Sequence, residues 1–194
     1  MLDGYTRVTE ILSQWDKSSH IDQVVYEKKT QMGTNVHDAI ANSFRGIPTI
    51  LTDDEGGKYF SSFLLWRAAR CPVVHAFESR MYDHERKITG AMDAVVKFPS
   101  GEELFLIDWK TSYSADKCNW PLQASFYMQL LELSGIVGIR KCKFIKLDKL
   151  GDMPIEYDFE QSEYLIDMCN HAIETYRYNS SWLEKRKAYN EEIV

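Results

Sequence analysis

The chain is poor in cysteine. Its four, at 71, 118, 142 and 169 in 194 residues, include no Cys-x-x-Cys pair. That argues against a zinc ribbon and leaves buried or free thiols in a reducing cytosol as the expectation. Long hydrophobic runs are absent too, so no segment is expected to cross a membrane. The opening Met-Leu-Asp-Gly-Tyr lacks the basic and apolar regions of a secretory signal. These absences predict an intracellular, cytoplasmic protein, or one of a host-cell cytoplasm if phage-encoded. Positive charge is also short: 23 Lys and Arg face 29 Asp and Glu, a net charge of −6. A high-affinity, non-specific nucleic-acid clamp is not expected from such a chain. Internal repeats and low-complexity tracts are missing.

What is present suffices for a core. A hydrophobic content of 44% and an aromatic content of 13% fit one globular domain over residues 1–194. The stretch from Gly90 to Tyr127 carries the chemistry. Ala91–Phe98 and Leu104–Thr111 both alternate with the period of strands, around the turn-like Pro99-Ser100-Gly101-Glu102. A four-residue loop pairs Phe98 with Glu103 and sets Asp93 opposite Asp108. A three-residue loop would put the two on opposite faces. In the first register the Cβ atoms of the two aspartates are about 4.5–5.5 Å apart. Facing like charges destabilise a sheet, and a divalent cation between them reverses that sign. Lys110 points to the same face. Two carboxylates and a lysine on one hairpin face suit phosphodiester hydrolysis. The carboxylates are hard oxygen ligands for Mg²⁺ or Mn²⁺, which polarises a phosphate and activates water. The ammonium orients that water or offsets developing charge. The bland alternative is a polar solvent face with an incidental charge pair, since Asp-x-Lys alone is common.

Gly90-x-x-Asp93, Asp108-x-Lys110-Thr111-Ser112 and Gln123-x-x-x-Tyr127 together resemble the PD-(D/E)XK nuclease superfamily. Within it they resemble the RecB-type branch, which includes the CRISPR adaptation nucleases and the mitochondrial genome maintenance exonuclease. Gly33-Thr34-Asn35-Val36-His37 and Glu78 match that branch's upstream elements. The resemblance spans residues 33 to 127. It implies an α/β domain with a restriction-endonuclease-like core, a small mixed sheet flanked by helices. It implies that Asp93, Asp108 and Lys110 are catalytic. It implies that His37, Asp93, Asp108 and the Trp109 backbone carbonyl hold Mg²⁺ or Mn²⁺, with Glu78 supporting the metal directly or through another group. Gln123 and Tyr127 would orient the substrate strand or hold Lys110. No iron–sulfur cluster is expected, because the late cysteine group of cluster-bearing relatives is absent. The implied activity is exonucleolytic, on single-stranded or end-containing DNA, by a lone chain, a homo-oligomer or a subunit of a larger nuclease complex. Two other readings stay open at this point. A cap-snatching-type RNA endonuclease uses a similar histidine, acid and lysine set, and a non-catalytic nucleic-acid-binding module could keep the same fold.

The rest of the chain predicts the frame. Val8, Ile11 and Leu12 have helical spacing, with Thr9 as a candidate cap. Residues 21–45 read as helix, in one or two pieces around Gly33, with Val36, Ile40 and Phe44 facing the core. His37 beside them is either structural or a ligand. Asp53-Asp54-Glu55 reads as a solvated turn opening a helix to residue 70, and Arg67 and Arg70 as surface charge. One strand is expected from Pro72 to Tyr82, with Glu78 inside it and Arg80 or Lys87 as its alternative partner. Asn119 and Pro121 suit a helix start, and Leu122, Phe126, Leu130 and Leu133 form that helix's core stripe. Residues 139–147 read as a strand with a basic face. Arg140, Lys141 and Lys143 on it either line the substrate groove or defend an exposed edge. Residues 160–188 read as helix.

Overall fold

The computed structural model describes residues 4–15, 22–50, 52–112 and 119–192, with side chains to residue 186. Cys118 lies outside the described residues, with residues 113–117 before it.

Local chemistry sets the helix starts. A two-residue strand β1 (Thr6–Arg7) leads into α1 (Val8–Leu12), whose Val8, Ile11 and Leu12 are buried. Arg7 holds the cap position without a side-chain bond, so Thr9 lies inside the helix rather than capping it. A 3₁₀ turn follows at Ser13–Trp15. Helix α2 (Gln23–Phe44) begins where Asp22 accepts hydrogen bonds from the N–H groups of Val24 and Val25 at 2.9 and 3.2 Å. It runs unbroken through Gly33. Helix α3 (Glu55–Arg70) opens on Asp54, whose carboxylate accepts the Gly57 N–H at 2.9 Å. The acidic triplet is therefore a helix start, where its charge meets orphan donors.

The region from Pro72 to Tyr82 is not one strand. β2 (Val73–Phe77) and β3 (Arg80–Asp83) separate at Glu78, whose φ is +47°. The run that follows divides likewise, into β4 (Ile88–Ala91) and β5 (Ala94–Lys97), around Met92 and Asp93. The two breaks brace each other. Glu78 N–H donates to the Asp93 carbonyl at 2.9 Å, and Met92 N–H to the Ser79 carbonyl at 3.2 Å. The chain thus crosses between two sheets at one point. The larger sheet has the order β2-β5-β6-β7-β8, with β6 (Leu104–Lys110), β7 (Lys141–Lys146) and β8 (Ile155–Glu160), and is parallel at β6–β7. The smaller has the order β1-β4-β3. β5 and β6 pair from Ala94↔Ile107 to Lys97↔Leu104. This is the register of a four-residue loop, and one step further sets Asp93 across from Asp108.

Helices α2 and α3 cover one face of the larger sheet, where Val36, Ile40, Phe63 and Trp66 pack with Val96, Ile107, Trp109 and Ile145. Helix α4 (Asn119–Leu133) fills the other side. Its Phe126 and Leu130 share a cluster with Val95, Leu106 and Phe144, and with Met81 and Ile88 of the smaller sheet. Helix α5 (Glu163–Glu192) adds Cys169, Ala172 and Ile173. Wedged between these neighbours, α4 is buried on most of its surface, but Leu133 in its last turn is exposed, contrary to the expected stripe. β7 lies inside the sheet, not at its edge, because β8 covers it. No described helix is long and apolar enough to cross a membrane.

Candidate active site

The expected site residues meet where β6 ends, opposite the β4–β5 break. Strand alternation sends Asp108 and Lys110 to the α4 face and Trp109 to the α2–α3 face. There Trp109 is buried against Phe44, Phe63 and Trp66, which anchors the strand end. Asp93, released from the ladder by the break, turns its carboxylate back onto β6. Its Oδ2 accepts the Trp109 N–H at 2.8 Å, and its Oδ1 lies 3.1 Å from His37 Nδ1. His37 reaches it because α2 passes close to the end of β6. A Cβ on Gly33, one helical turn before His37, would stand 3.2 Å from Thr111 Oγ1.

The other half is a chain of hydrogen bonds. Lys110 Nζ lies 2.7 Å from Asp108 Oδ1 and donates to Gln123 Oε1 at 2.9 Å. Gln123 Nε2 donates to Asp108 Oδ2 at 3.3 Å and to Tyr127 Oη at 3.1 Å. The Tyr127 ring presses on β4, where a Cβ at Gly90 would come within 2.7 Å of Cε1. Gly90 admits Tyr127, Tyr127 contacts Gln123, and Gln123 holds Lys110 and Asp108. Gly90→Ala is therefore expected to cost about 1–3 kcal/mol by overpacking, read as a lower urea midpoint. An unchanged midpoint would mean that Tyr127 moves aside freely.

Burial sets the electrostatics. It opposes charge on His37, but the Asp93 carboxylate outweighs it and lifts the imidazole to about 9. The His37 charge therefore stabilises the fold fully below about 6.5, and that contribution is lost as pH rises through about 9. Burial works against the Asp93 charge, yet His37, Lys110 and the Trp109 N–H hold this carboxyl below its usual range. Burial lifts Asp108 to about 6, with the Lys110 ammonium opposing the rise and the Asp93 charge adding to it. Burial also pushes the Tyr127 hydroxyl well up, so it stays neutral where it accepts the Gln123 amide N–H.

Among the described residues no three His, Cys, Asp or Glu side chains converge on one point. His37 and Lys110 each cover one carboxylate separately. The donor set still fits a hard cation. Asp108 Oδ1 is buried, and among the described residues its polar neighbour is the Lys110 ammonium at 2.7 Å, an ion pair without an aligned hydrogen bond. Asp93 stands opposite it, and the Trp109 carbonyl faces the same side as its N–H, toward Asp93. The Glu78 carboxylate turns away to Arg45 at 2.5 Å, not to Arg80 or Lys87. Glu78 touches the site through its backbone bond to Asp93.

Arg140, Lys141 and Lys143 are not brought to the site. Lys141 and Lys143 alternate with Phe144, which lies under Lys110, so they point to the opposite face. Glu103 pairs Lys141 at 2.9 Å, and Glu156 and Asp158 pair Lys143 at 3.2 and 2.6 Å. Arg140 is exposed before the start of β7, and β7 runs parallel to β6. Some six residues separate it from the Lys110 end, roughly 20 Å of strand. Sequence reasoning missed Arg45, Phe144 and Lys146, the last being beside Lys110 in the β6–β7 register. Their signal depends on a parallel pairing and a helix approach that residue patterns do not reveal.

The family model of the PD-(D/E)XK nuclease superfamily matches residues 54–141, the segment that holds Glu78, Asp93, Asp108, Lys110, Gln123 and Tyr127. Among solved structures, the chain is similar to an alkaline exonuclease from Laribacter hongkongensis at 12% identity and a TM-score of 0.50, covering 98% of this chain and 95% of that one. A structure of the Laribacter exonuclease with dAMP gives 14% and 0.52 over the same shares. A protein from Eubacterium rectale, provisionally assigned as an exonuclease, gives 12% and 0.55 over 89% of this chain and 78% of that one. No curated protein matches the chain. At these identities the structural likeness is one of fold, and the fold is that of the PD-(D/E)XK nucleases. The resemblance carried by the motifs is the one the family match and the fold both show, and together they support a nuclease.

Proposed function

We propose that this chain, with its PD-(D/E)XK fold, is a Mg²⁺- or Mn²⁺-dependent nuclease, acting as an exonuclease on single-stranded or end-containing DNA. The observation that carries the reading is the buried Asp108 carboxylate, one oxygen of which has no aligned donor, facing the half-buried Asp93 carboxylate beside a lysine fixed by Gln123. Asp93, Asp108, the Trp109 carbonyl and His37 would hold the cation. A bound divalent ion would supply polarisation of the scissile phosphate and a more acidic water. Lys110 orients the attacking water and offsets charge that develops on the phosphate. Gln123 keeps the ammonium aimed there. Trp109 N–H fixes the Asp93 carboxylate with its other oxygen toward His37 Nδ1, where a cation would take the place of the shared proton. DNA and end dependence follow the names of the neighbours and the resemblance of the motifs.

Metal and proton compete for His37. A ligand imidazole must be neutral, so metal binding releases the proton that Asp93 holds on it. Apparent Mn²⁺ affinity is expected to rise about tenfold per pH unit between 7 and 8.5, then level off near 9. Calorimetry in buffers of different ionisation enthalpy counts the proton. A flat profile with no proton release would remove His37 from the ligand set. The test of the reaction itself is degradation, with Mn²⁺, of linear and circular single strands and of matched RNA. Loss of the linear DNA alone supports an exonuclease. Loss of the circle as well means endonucleolytic cutting, and loss of RNA alone would turn the reading to the RNA endonuclease.

A further inference from the structure

The smaller sheet has one face packed on α4 and one face open. Met81, Asp83, Ile88 and Gly90 point inward and are buried. By alternation and register, the other side carries exposed Arg7 on β1, exposed Arg80 and half-buried Tyr82 on β3, and Thr89, which its neighbours bury, and exposed Ala91 on β4. Ring contacts bring the flanking residues to the same side. Tyr5 meets Tyr82 edge-on at 5.2 Å, Tyr82 stacks with His84 at 6.2 Å, and Lys87 Nζ lies 5.2 Å over the Tyr5 ring. Tyr5 Oη and His84 Nδ1 share a hydrogen bond. Arg7, Arg80, His84 and Lys87 are exposed.

No position of this face is acidic, in a chain of net charge −6. Asp83 points the other way, buried with Arg86, and Glu85 sits on the turn at the far end. Among the described residues, Arg7, Arg80 and Lys87 have no acidic partner, whereas Lys141 and Lys143 of β7 do. The face also runs into the site. Ala91 and Arg80 are paired, and each is two residues from a member of the brace formed by Asp93 and Glu78.

We propose that this face binds single-stranded nucleic acid and leads it to the Asp93–Asp108 site, with phosphates on Arg7, Lys87 and Arg80 and bases on the Tyr82 and His84 rings. The inference rests on the nuclease reading. Unpaired cations match a polyanion, and their contribution is strongly salt-dependent. The exposed His84 ring and the half-exposed Tyr82 ring reward unstacked bases, which a duplex keeps covered. The surface therefore selects a single strand over a duplex.

The test is binding of a labelled oligothymidylate in EDTA across a salt series, where cleavage cannot interfere. Arg7→Ala with Lys87→Ala is expected to weaken binding about tenfold or more and to flatten the log–log salt slope by about 1.4, or 0.7 per phosphate contact. Tyr82→Leu keeps an apolar cover over Thr89 and is expected to weaken binding about fivefold or more with the slope unchanged. Lys28→Ala with Lys185→Ala removes the same charge from exposed positions elsewhere and is expected to stay within about twofold of wild type, because those sites lie off the proposed track. Unchanged affinity and slope in the Arg7/Lys87 variant overturn the proposal. So does a wild type that prefers a duplex of equal length. Cleavage with Mn²⁺ is read separately. If the wild type binds through this face and cuts neither DNA nor RNA, the binding surface stands and the nuclease reading falls.

Discussion

Asp108→Asn is expected to fold as firmly as the wild type and to gain nothing from Mn²⁺. Asp108 is 4% exposed, and its carboxyl is lifted to about 6, so its charge is held against the preference of the fold. The amide keeps the shape and can still bond Gln123, and it removes the repulsion with Asp93. Lys110 loses an ion pair but retains Gln123 and the Phe144 ring. Without metal, the two opposing changes leave the unfolding free energy nearly unmoved. With Mn²⁺ at 100 times its dissociation constant, the wild type should gain about 2.7 kcal/mol and the variant none. Unfolding by urea with and without Mn²⁺ reads both numbers. A variant stabilised as much as the wild type would place the cation elsewhere.

Lys110→Ala should do the reverse. The lysine competes with a cation for Asp108 Oδ1, at 2.7 Å, so its removal leaves metal-linked stabilisation intact or larger. The cleavage rate should fall about 100- to 1,000-fold, the cost of deleting one preorganised charge at a reacting phosphate. Single-turnover rates at saturating strand separate this from weaker binding. Gln123→Ala should show a milder loss in the same direction, because it loosens Lys110 without removing it. Equal loss of metal stabilisation and rate in Lys110→Ala would mean that the residue supports the fold of the site, not the chemistry.

The hairpin was legible because its signal is local. Period-two alternation and a four-residue turn fix the β5–β6 register and so the placing of Asp108 and Lys110 opposite Asp93. Gln123 and Tyr127 were legible through helical spacing, and Gly33 and His37 through their interval of one turn. The breaks at Glu78 and Met92–Asp93 were not, because each is held by a backbone bond to the other and neither carries a proline or a turn signal. The second sheet was hidden for the same reason. The basic residues of β7 were misleading, since their acidic partners at 103, 156 and 158 are brought near only by sheet pairing. β8 had a readable alternation in Ile155, Tyr157 and Phe159. Its acidic intervals resemble a solvated loop until Lys143 is placed beside them.

The most direct test of the account is cleavage of an end-labelled linear single strand of DNA by the wild type with Mn²⁺, by the wild type with EDTA, and by Lys110→Ala with Mn²⁺. The account predicts product from the first alone. Equal product from Lys110→Ala, or no product from the wild type on DNA and on matched RNA, would contradict it.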